Sequence, residues 1–421
     1  MSYSTKFIYG LLLLLPTVVN ANSFIYDDVT YDPDVQSVFL KSASQEHSGN
    51  NTSPVLFLGQ QSPMVLHFDI IYEEEVSNMQ AKVIHCNADW TPSTLRDMEY
   101  LNEYNEFPVQ DYVFSANTRV PYTHYTLPLP QTRISGNFLL LVYKNHDTNQ
   151  PVLTRRFLVV DDQVGINAAL VQSSGVRNRL SHHQIDLQIQ YSRLPIPNPT
   201  MDVTVVIRQN NRWDNIIYDL KPTQVREEMS QMVYQHFGGE SSFAAGNEFR
   251  FFDLRSILYS GQNIDRMHRG EYMHEAYLFV DRSRSAQVYS QYRDQNGAYI
   301  VQNRETSLHD TEADYVNVHF QLKTETQLSN PVYVAGALNN WQYNDDNKME
   351  YDIATGLYQK TMLLKQGWYD YKYLVPDEND INILEGSFFE TSNVYEIIVY
   401  VRDLKLRSDL VVGYTTLQSA P

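Results

Sequence analysis

The stretch "VYVAGALNNWQYNDDNKMEYDIATGLYQKTMLLKQGWYDYKY", residues 332–373, gives the clearest indication of the fold. A short apolar run leads into Gly-Ala-Leu-Asn-Asn-Trp and then into a gap rich in Asn and Asp. After Gly356, two further runs alternate apolar with polar residues. Alternation with a period of two is typical of strands with one buried face. The stretch therefore predicts β-strands joined by tight turns.

The same alternation recurs along the whole chain. Three of the clearest apolar series are Met64, Leu66, Phe68 and Ile70; Ile185, Leu187, Ile189 and Tyr191; and Val316, Val318, Phe320 and Leu322. Short spacers with Pro, Asn, Asp and Gly separate these runs, as in β-sandwiches. We therefore expect an all-β fold of tandem immunoglobulin-like β-sandwich domains.

Helical periodicity is clear in one place, directly after Trp90. Thr91 can cap a helix and Pro92 suits its first position, with Leu95, Met98 and Leu101 on one face. The sequence therefore predicts one helix from Pro92 onward.

Composition shifts along the chain suggest its organisation. Lys6 precedes a short apolar run from Phe7 to Val19, the pattern of an export signal, and we expect cleavage near Ala21. The predicted divisions are a signal peptide at 1–21, a first β-sandwich domain at 22–162, a middle β domain at 163–301, a polar linker at 302–314 and a C-terminal sandwich at 315–421. We therefore expect an exported protein without a membrane-spanning helix.

Charge and cysteine content exclude several classes of protein. The formal net charge of −18 argues against binding to nucleic acid or to an anionic bilayer. Cys86 is the single cysteine, so no internal disulfide can form. Because neighbouring strand residues face opposite sides, His85 and Cys86 cannot form a local catalytic pair. We expect Cys86 to be a buried structural residue.

Motifs of catalysis and cofactor binding are missing from the sequence. It contains no Gly-rich phosphate loop, no Gly-x-Ser-x-Gly turn and no His-Glu-x-x-His helix. His67 with Asp69, and His182 with His183, supply only two metal ligands each, and two ligands do not make a site. We expect exposed polar strand faces at both pairs, no cofactor and no enzymatic activity.

The segment from Gly238 to Gly270 combines glycines, aromatic residues and arginines, and two interpretations stay open. It is either an exposed edge that docks on a partner, or a β-hairpin whose Arg250 and Arg255 pair with nearby acids. Under the first interpretation, the candidate partner-binding residues are Phe249, Arg250, Phe251, Phe252 and Arg255.

Several longer motifs resemble one family. These are "YDPDVQSVFL" at 31–40, "HCNADWTPSTLRDMEYLNEYNEFPVQDYVFSANTRVPYTHYTLPLP" at 85–130, "TRRFLVVD" at 154–161 and "GNEFRFFDLRSI" at 246–257. Together with the opening stretch, they resemble the plug proteins of the type IX secretion system. The resemblance implies a periplasmic protein that is not an enzyme. It implies one partner, the giant outer-membrane translocon barrel, whose pore the plug keeps closed, and contact with the membrane only through that partner.

The opening stretch also resembles modules that bind starch or glycogen. Trp341 and Lys372 match positions that such modules use for sugar stacking and hydrogen bonding. These modules have a second Trp shortly afterwards, whereas residues 375–393 contain none. We therefore expect a vestigial site in which Trp341 covers the sandwich core and Lys372 is solvated. The alternative function is that of an envelope carbohydrate-binding or glycan-processing accessory protein.

Overall fold

The structure is a computed structural model and describes residues 24–42, 53–60, 63–376 and 382–419. The predicted signal peptide at 1–21 lies outside the described residues. No helix in these ranges has the length and apolar character needed to cross a bilayer.

Strands dominate the chain, and its helices are short. The strands of the first part are β1 Val29–Thr30, β2 Val35–Ser42, β3 Val55–Phe57, β4 Met64–Ile71, β5 Met79–Cys86, β6 Phe107–Val109, β7 Asp111–Phe114, β8 Tyr122–Pro128, β9 Gly136–Lys144 and β10 Pro151–Val160. Those of the next part are β11 Gly165–Gln172, β12 His182–Gln190, β13 Val203–Gln209, β14 Ile216–Ile217, β15 Gln224–Arg226, β16 Gln231–Tyr234 and β17 Ser242–Ala244. The remaining strands are β18 Arg250–Asp253, β19 Ile264–Arg269, β20 His274–Leu278, β21 Asp281–Arg282, β22 Tyr299–Val301, β23 Tyr315–Lys323, β24 Tyr333–Ala335, β25 Glu350–Asp352, β26 Leu357–Lys365, β27 Gly367–Leu374, β28 Val394–Asp403 and β29 Ser408–Gln418. The α-helices are α1 Asp97–Tyr100, α2 Pro199–Asp202 and α3 His309–Glu312, and two 3-10 helices cover Glu227–Met229 and Ala337–Asn339.

The N-terminal sandwich is formed by β1 to β10. One sheet has the order β1-β10-β9-β5-β6, with β3 also on β10, and the other has the order β2-β4-β8-β7. On β4, Leu66 and Phe68 are fully buried in the core between the sheets. The predicted all-β sandwich architecture is confirmed here and in the two sandwiches that follow.

The middle sandwich is discontinuous in sequence. One sheet has the order β11-β12-β16-β15, and the other has the order β14-β13-β28-β29. The last two strands of the chain therefore complete this sandwich, with Ile207 of β13 opposite Ile397 of β28. The boundaries expected from sequence differ here, because they assigned residues 394–418 to the C-terminal sandwich. Alternation identifies β28 as a strand but carries no information about which strand it pairs with.

The third sandwich is inserted between β17 and β28. Its sheets have the orders β18-β27-β22, with β24 also on β27, and β19-β20-β23-β26-β25, with β21 on β23. Its first strands, β18 to β22, come from the segment that sequence analysis assigned to the middle domain. The expected linker at 302–314 contains α3 and lies within this sandwich.

The N-terminal and middle sandwiches share a second core. Leu139 and Leu158 of the first sandwich face Ile398 and Val411 of the middle one, in a cluster that also contains Cys86. Cys86 is fully buried, as expected, and burial raises the pKa of its thiol to about 12. The two sandwiches are therefore stacked into four layers of sheet.

The helix predicted from Pro92 onward, with Leu95, Met98 and Leu101 on one face, is mostly wrong: Leu95 and Leu101 lie outside α1, and Met98 is 81% exposed. Pro92 forms an isolated bridge with Cys86. The Thr91 hydroxyl donates a hydrogen bond to Asp89 (2.6 Å), a local turn that competes with helix formation. Helix α1 begins only at Asp97.

Candidate functional site

The five candidate partner-binding residues lie on or beside β18. This strand pairs with β27, with Phe252 opposite Tyr369. It does not form a hairpin with β19, whose ladder partner is β20. The interpretation of this segment as a β-hairpin is therefore wrong, because its strands β18 and β19 pair with other strands and not with each other.

Three of the five residues are buried. Phe249 is 1% exposed, Phe252 is 0% exposed and Arg250 is 8% exposed. Phe252 stacks on Tyr369 at 5.2 Å in the core of the third sandwich. The prediction that these three side chains anchor a partner is corrected, because they contact other parts of the same chain.

Arg250 is held in a buried network of charges. Its Nη1 lies 2.7 Å from Asp281 Oδ1, and its Nε lies 2.9 Å from Glu385 Oε1. Arg284 contacts the other Glu385 oxygen at 2.7 Å. The backbone N–H of Tyr373 also donates to Glu385 (3.0 Å). The network joins β18, β21, β27 and the segment that leads to β28.

The charges of this network stabilise each other. Burial alone would raise the pKa of Glu385, but Arg250 and Arg284 lower it to about 2. Burial disfavours the charged form of Arg250, and Glu385 and Asp281 outweigh this effect and raise its pKa. The expectation that Arg250 pairs with nearby acids is therefore confirmed.

Phe251 and Arg255 lie on the outer side of the same sheet and are half-buried. Phe251 stacks on Trp368 with ring centroids 4.5 Å apart. Arg255 pairs with Asp253 (2.8 Å) and lies over the Trp368 ring at 5.2 Å. A role for these two side chains in partner binding stays a prediction.

Trp341 is 9% exposed and forms part of a junction between sandwiches. The Arg212 guanidinium of the middle sandwich lies 4.0 Å from its ring centroid. Asp214 holds this arginine in a bidentate pair, with one N···O distance of 3.0 Å. On other sides, the ring contacts Phe249 edge-on at 5.8 Å and leaves no room for a side chain at Gly297. A sugar ring cannot stack on the face that Arg212 covers.

Lys372 is buried, which corrects the expectation that it is solvated. Its exposed fraction is 5%, and its Nζ lies 3.9 Å from the Phe249 ring centroid. Burial lowers the pKa of Lys372 to about 8. The structure thus brings Trp341 and Lys372 together around Phe249, in the interior instead of on a sugar-binding surface.

A cavity of about 1210 Å³ lies where the three sandwiches meet. Arg156, Trp213 and Trp341 line it, one from each sandwich. Glu248 also lines it, and its Oε2 has no hydrogen-bond partner among the described residues. Within the same residues, no group of three His, Cys, Asp or Glu side chains could hold a metal ion.

Two carboxyl groups near the cavity are unusual. Burial, together with Asp294, raises the pKa of Asp370 to about 7, and burial raises that of Asp294 to about 6. Raised values of this kind occur at catalytic acids. Here, however, the Asp370 carboxylate accepts the backbone N–H groups of Gln295 and Gly297, and Asp294 accepts that of Phe249. The arrangement ties the loop at 294–297 to the sheet.

The pair His67 and Asp69 is buried, so the expected exposed polar face is wrong. Asp69 Oδ1 lies 2.7 Å from His124, and Oδ2 lies 2.6 Å from Lys365 of the third sandwich. The Tyr315 hydroxyl donates to the same Oδ2 (2.6 Å). Asp69 therefore links two sandwiches.

The pair His182 and His183 also differs from an exposed face. His183 is fully buried and its Nδ1 lies 2.8 Å from the Tyr395 hydroxyl. The Phe389 carbonyl accepts a hydrogen bond from Nε2, the other ring nitrogen of His183. This histidine fixes β12 to the segment before β28.

The residues that complete these contacts are not predicted from the sequence, among them Arg212, Asp281 and Glu385. Glu385 lies 135 positions from Arg250, and Asp281 lies 31 positions from it. Ordinary charged residues at such separations give no local pattern that marks them as partners.

Comparison with known proteins agrees with the architecture. Residues 35–161 match the family model described as the type 9 secretion system plug protein 1st domain. A crystal structure of a hypothetical protein from Parabacteroides merdae ATCC 43184 is 30% identical with a TM-score of 0.87, covering 93% of this chain and 99% of that one. No curated protein matches. The chain belongs to the type IX secretion system plug protein family.

Proposed function

We propose that the mature protein is a non-enzymatic periplasmic plug. It binds the periplasmic opening of the outer-membrane translocon of the type IX secretion system and keeps the pore closed when no cargo is engaged. The family membership supports a role in this secretion system and a periplasmic location.

One observation carries the proposal. The N-terminal sandwich, which contains the residues that match the family model, is firmly packed against both other sandwiches. Toward the middle sandwich, Trp90 contacts Trp213 edge-on at 4.9 Å, and the Arg156 guanidinium lies over both rings. The Tyr400 hydroxyl donates to Asn137 (2.9 Å) across the same boundary. These contacts lie within the shared core described above.

Toward the third sandwich, the contacts are also buried. Besides the Asp69 and Lys365 ion pair, the Asp314 carboxylate accepts the backbone N–H groups of Arg119 (2.7 Å) and Val120 (3.2 Å). Val120 is fully buried there, in a cluster with Tyr315. Close packing between sandwiches opposes hinge motion. A rigid protein of this kind is suited to closing a pore, because a plug must keep its shape while it is bound to the pore.

Chemistry is not needed for such a role, since occupancy of the pore mouth is a binding equilibrium. The net charge of −18 disfavours electrostatic capture by an acidic surface, so apolar, Tyr and Arg contacts should dominate the interface. Phe251 and Arg255 are the remaining candidates among the residues named from sequence.

The test is a deletion strain complemented in two ways. Wild-type protein should restore a low uptake of bulky antibiotics or dyes, whereas a matched version that lacks residues 2–21 should stay in the cytoplasm and leave the cells permeable. The amount of translocon barrel is measured in every strain, because loss of the barrel would also change the uptake.

Co-purification from native membranes supplies the second measurement. Recovery of the protein with the giant barrel is expected. Unchanged uptake in the deletion strain, with the barrel at its normal level, would refute pore closure. Retention of the protein on a glucan resin, without the barrel, would favour the carbohydrate-binding alternative.

A further inference from the structure

Strand β7 forms an open edge of the N-terminal sandwich. It is the last strand of its sheet, and among the residues that the structure describes it pairs only with β8. Three consecutive apolar or aromatic residues on it are exposed: Tyr112 (41%), Val113 (57%) and Phe114 (59%). A sheet edge of this composition is a template for the addition of another strand.

The backbone of β7 has free positions on its outer side. The Ser115 N–H donates to the Tyr122 carbonyl of β8 (2.8 Å). Because antiparallel ladders alternate, Val113 also faces β8, whereas the N–H and C=O groups of Tyr112 and Phe114 point away from it. In the described part of the chain, no hydrogen bond from outside the β7–β8 ladder reaches residues 111–114.

Three other edge strands carry residues that oppose strand addition. Charged or polar side chains and proline are common devices for this purpose. Edge strands β19, β15 and β6 carry such exposed residues, namely Arg266, Arg269, Gln224, Arg226 and Pro108. Strand β7 carries only Asp111, at its first position.

The surroundings of β7 are mainly acidic. Tyr125, which lies opposite Tyr112, donates its hydroxyl to Glu73 (2.6 Å). Asp111 adds a second carboxylate, and the exposed Arg119 lies five residues beyond the end of the strand. An incoming strand is therefore favoured if it carries positive charge.

We propose that the outer edge of β7 binds an extended segment of a partner protein as an added β-strand, with apolar residues alternating with Lys or Arg. Backbone groups of Tyr112 and Phe114 supply the hydrogen bonds, and the exposed rings supply apolar contact. A second copy of this chain fits less well, because each copy brings its own acidic edge and a net charge of −18. The inference goes beyond pore closure and does not depend on it.

The test uses the purified protein and the fluorescein-labelled peptide Lys-Val-Lys-Phe-Lys-Val-Lys as a probe in anisotropy titrations. Two control peptides have either Glu in place of every Lys or N-methyl groups on the central amides. Loss of one or two backbone hydrogen bonds corresponds to a weakening of about tenfold. We therefore expect the N-methylated peptide to bind at least about tenfold more weakly, and the Glu peptide to bind more weakly as well.

Two matched variants test the protein side. Phe114→Pro removes the outward N–H and leaves the bonds to β8, whereas Phe114→Leu keeps that N–H. The proline variant should lose binding and the leucine variant should keep it, with equal melting temperatures as the folding control. The inference is overturned if the Lys peptide does not bind. It is also overturned if N-methylation leaves binding unchanged, a comparison that uses only the wild-type protein. It is also overturned if wild-type protein self-associates in sedimentation and Phe114→Pro abolishes this, which would identify a second copy as the occupant.

Discussion

Arg212 of the middle sandwich lies over the ring of Trp341 of the third sandwich, with its guanidinium carbon 4.0 Å from the ring centroid. The position that resembles a sugar-stacking tryptophan is thus used to join two domains. A cation over an aromatic face stabilises such a junction, more so when water is excluded. The module has the sequence features of a carbohydrate binder, but the ring is occupied by the protein itself.

Trp341→Ala should therefore lower stability and leave glucan affinity unchanged. Loss of a buried aromatic side chain costs about 3–5 kcal/mol of the free energy of unfolding. Urea unfolding gives this value, and affinity electrophoresis in a glucan gel gives the sugar binding. Trp368→Ala, on the half-exposed outer face, is the matched control and should cost less. Glucan binding that disappears in Trp341→Ala, with stability unchanged, would contradict the assignment.

Arg250→Gln and Arg255→Gln should differ strongly in stability. Arg250→Gln removes one of the two arginines that pair with the fully buried Glu385, and breaking a buried pair costs about 3–5 kcal/mol. Arg255→Gln should cost about 1 kcal/mol or less, since this arginine is partly exposed and its partner Asp253 keeps a second contact, with Arg304.

Urea unfolding of the two variants decides the matter. Equal, small losses in both variants would contradict the buried position of Arg250. Because Arg250 is buried between acidic groups, a charge reversal at this position should unfold the third sandwich. It should not give a folded protein with a weaker partner interface.

The sequence predicts where the strands of this protein lie better than it predicts which strands pair with each other. Alternation identifies β12 and β23 because each has one face in a core and more exposed residues on the other face. Strand β4 alternates as well, although both of its faces are buried, because its second face carries the polar residues His67 and Asp69. Strand β9 lacks alternation, since its other face is covered by the middle sandwich and all but its last residue are buried. Residues on both faces are then apolar, as in sheets covered on both sides.

The site residues illustrate the same limit. Phe249 and Arg250 stand out in sequence as a mixture of aromatic and charged side chains, which is equally typical of an interface and of a buried ion network. What decides between them is the position of Glu385, on a segment far along the chain. The discontinuous middle sandwich follows from the same kind of long-range pairing.

The ion pair between Asp69 and Lys365 should couple the N-terminal and third sandwiches. Lys365→Met leaves the Asp69 carboxylate buried with His124 and Tyr315, and should cost about 3–5 kcal/mol. The double variant Asp69→Asn with Lys365→Met removes both charges and should recover at least part of this loss. A double-mutant cycle from urea unfolding measures the coupling. Losses of the two single variants that simply add would show that the pair does not couple the sandwiches.

The pH dependence of stability should carry the signature of Asp370. Its pKa is raised from 3.8 to about 7, first by burial and then by Asp294. The folded protein therefore keeps a proton that the unfolded chain releases near pH 4. The stability that this proton contributes is fully present below pH 3.8 and is lost as the pH rises through about 7.

Asp370→Asn cannot ionise, so it lacks this dependence. From pH 4.5 to 8, the free energy of unfolding of the wild type, minus that of Asp370→Asn, should fall by about 2–4 kcal/mol, since each pKa unit corresponds to 1.36 kcal/mol. Buried histidines such as His67 and His85, whose pKa values burial lowers to about 4, change stability in the opposite direction within this range. Both proteins contain these histidines, so their effect cancels in the difference. Because Asp294 titrates nearby, the transition belongs to the pair and should be broad. Urea unfolding at five or six pH values measures it, and parallel curves for the two proteins would show that Asp370 is already ionised in the folded state.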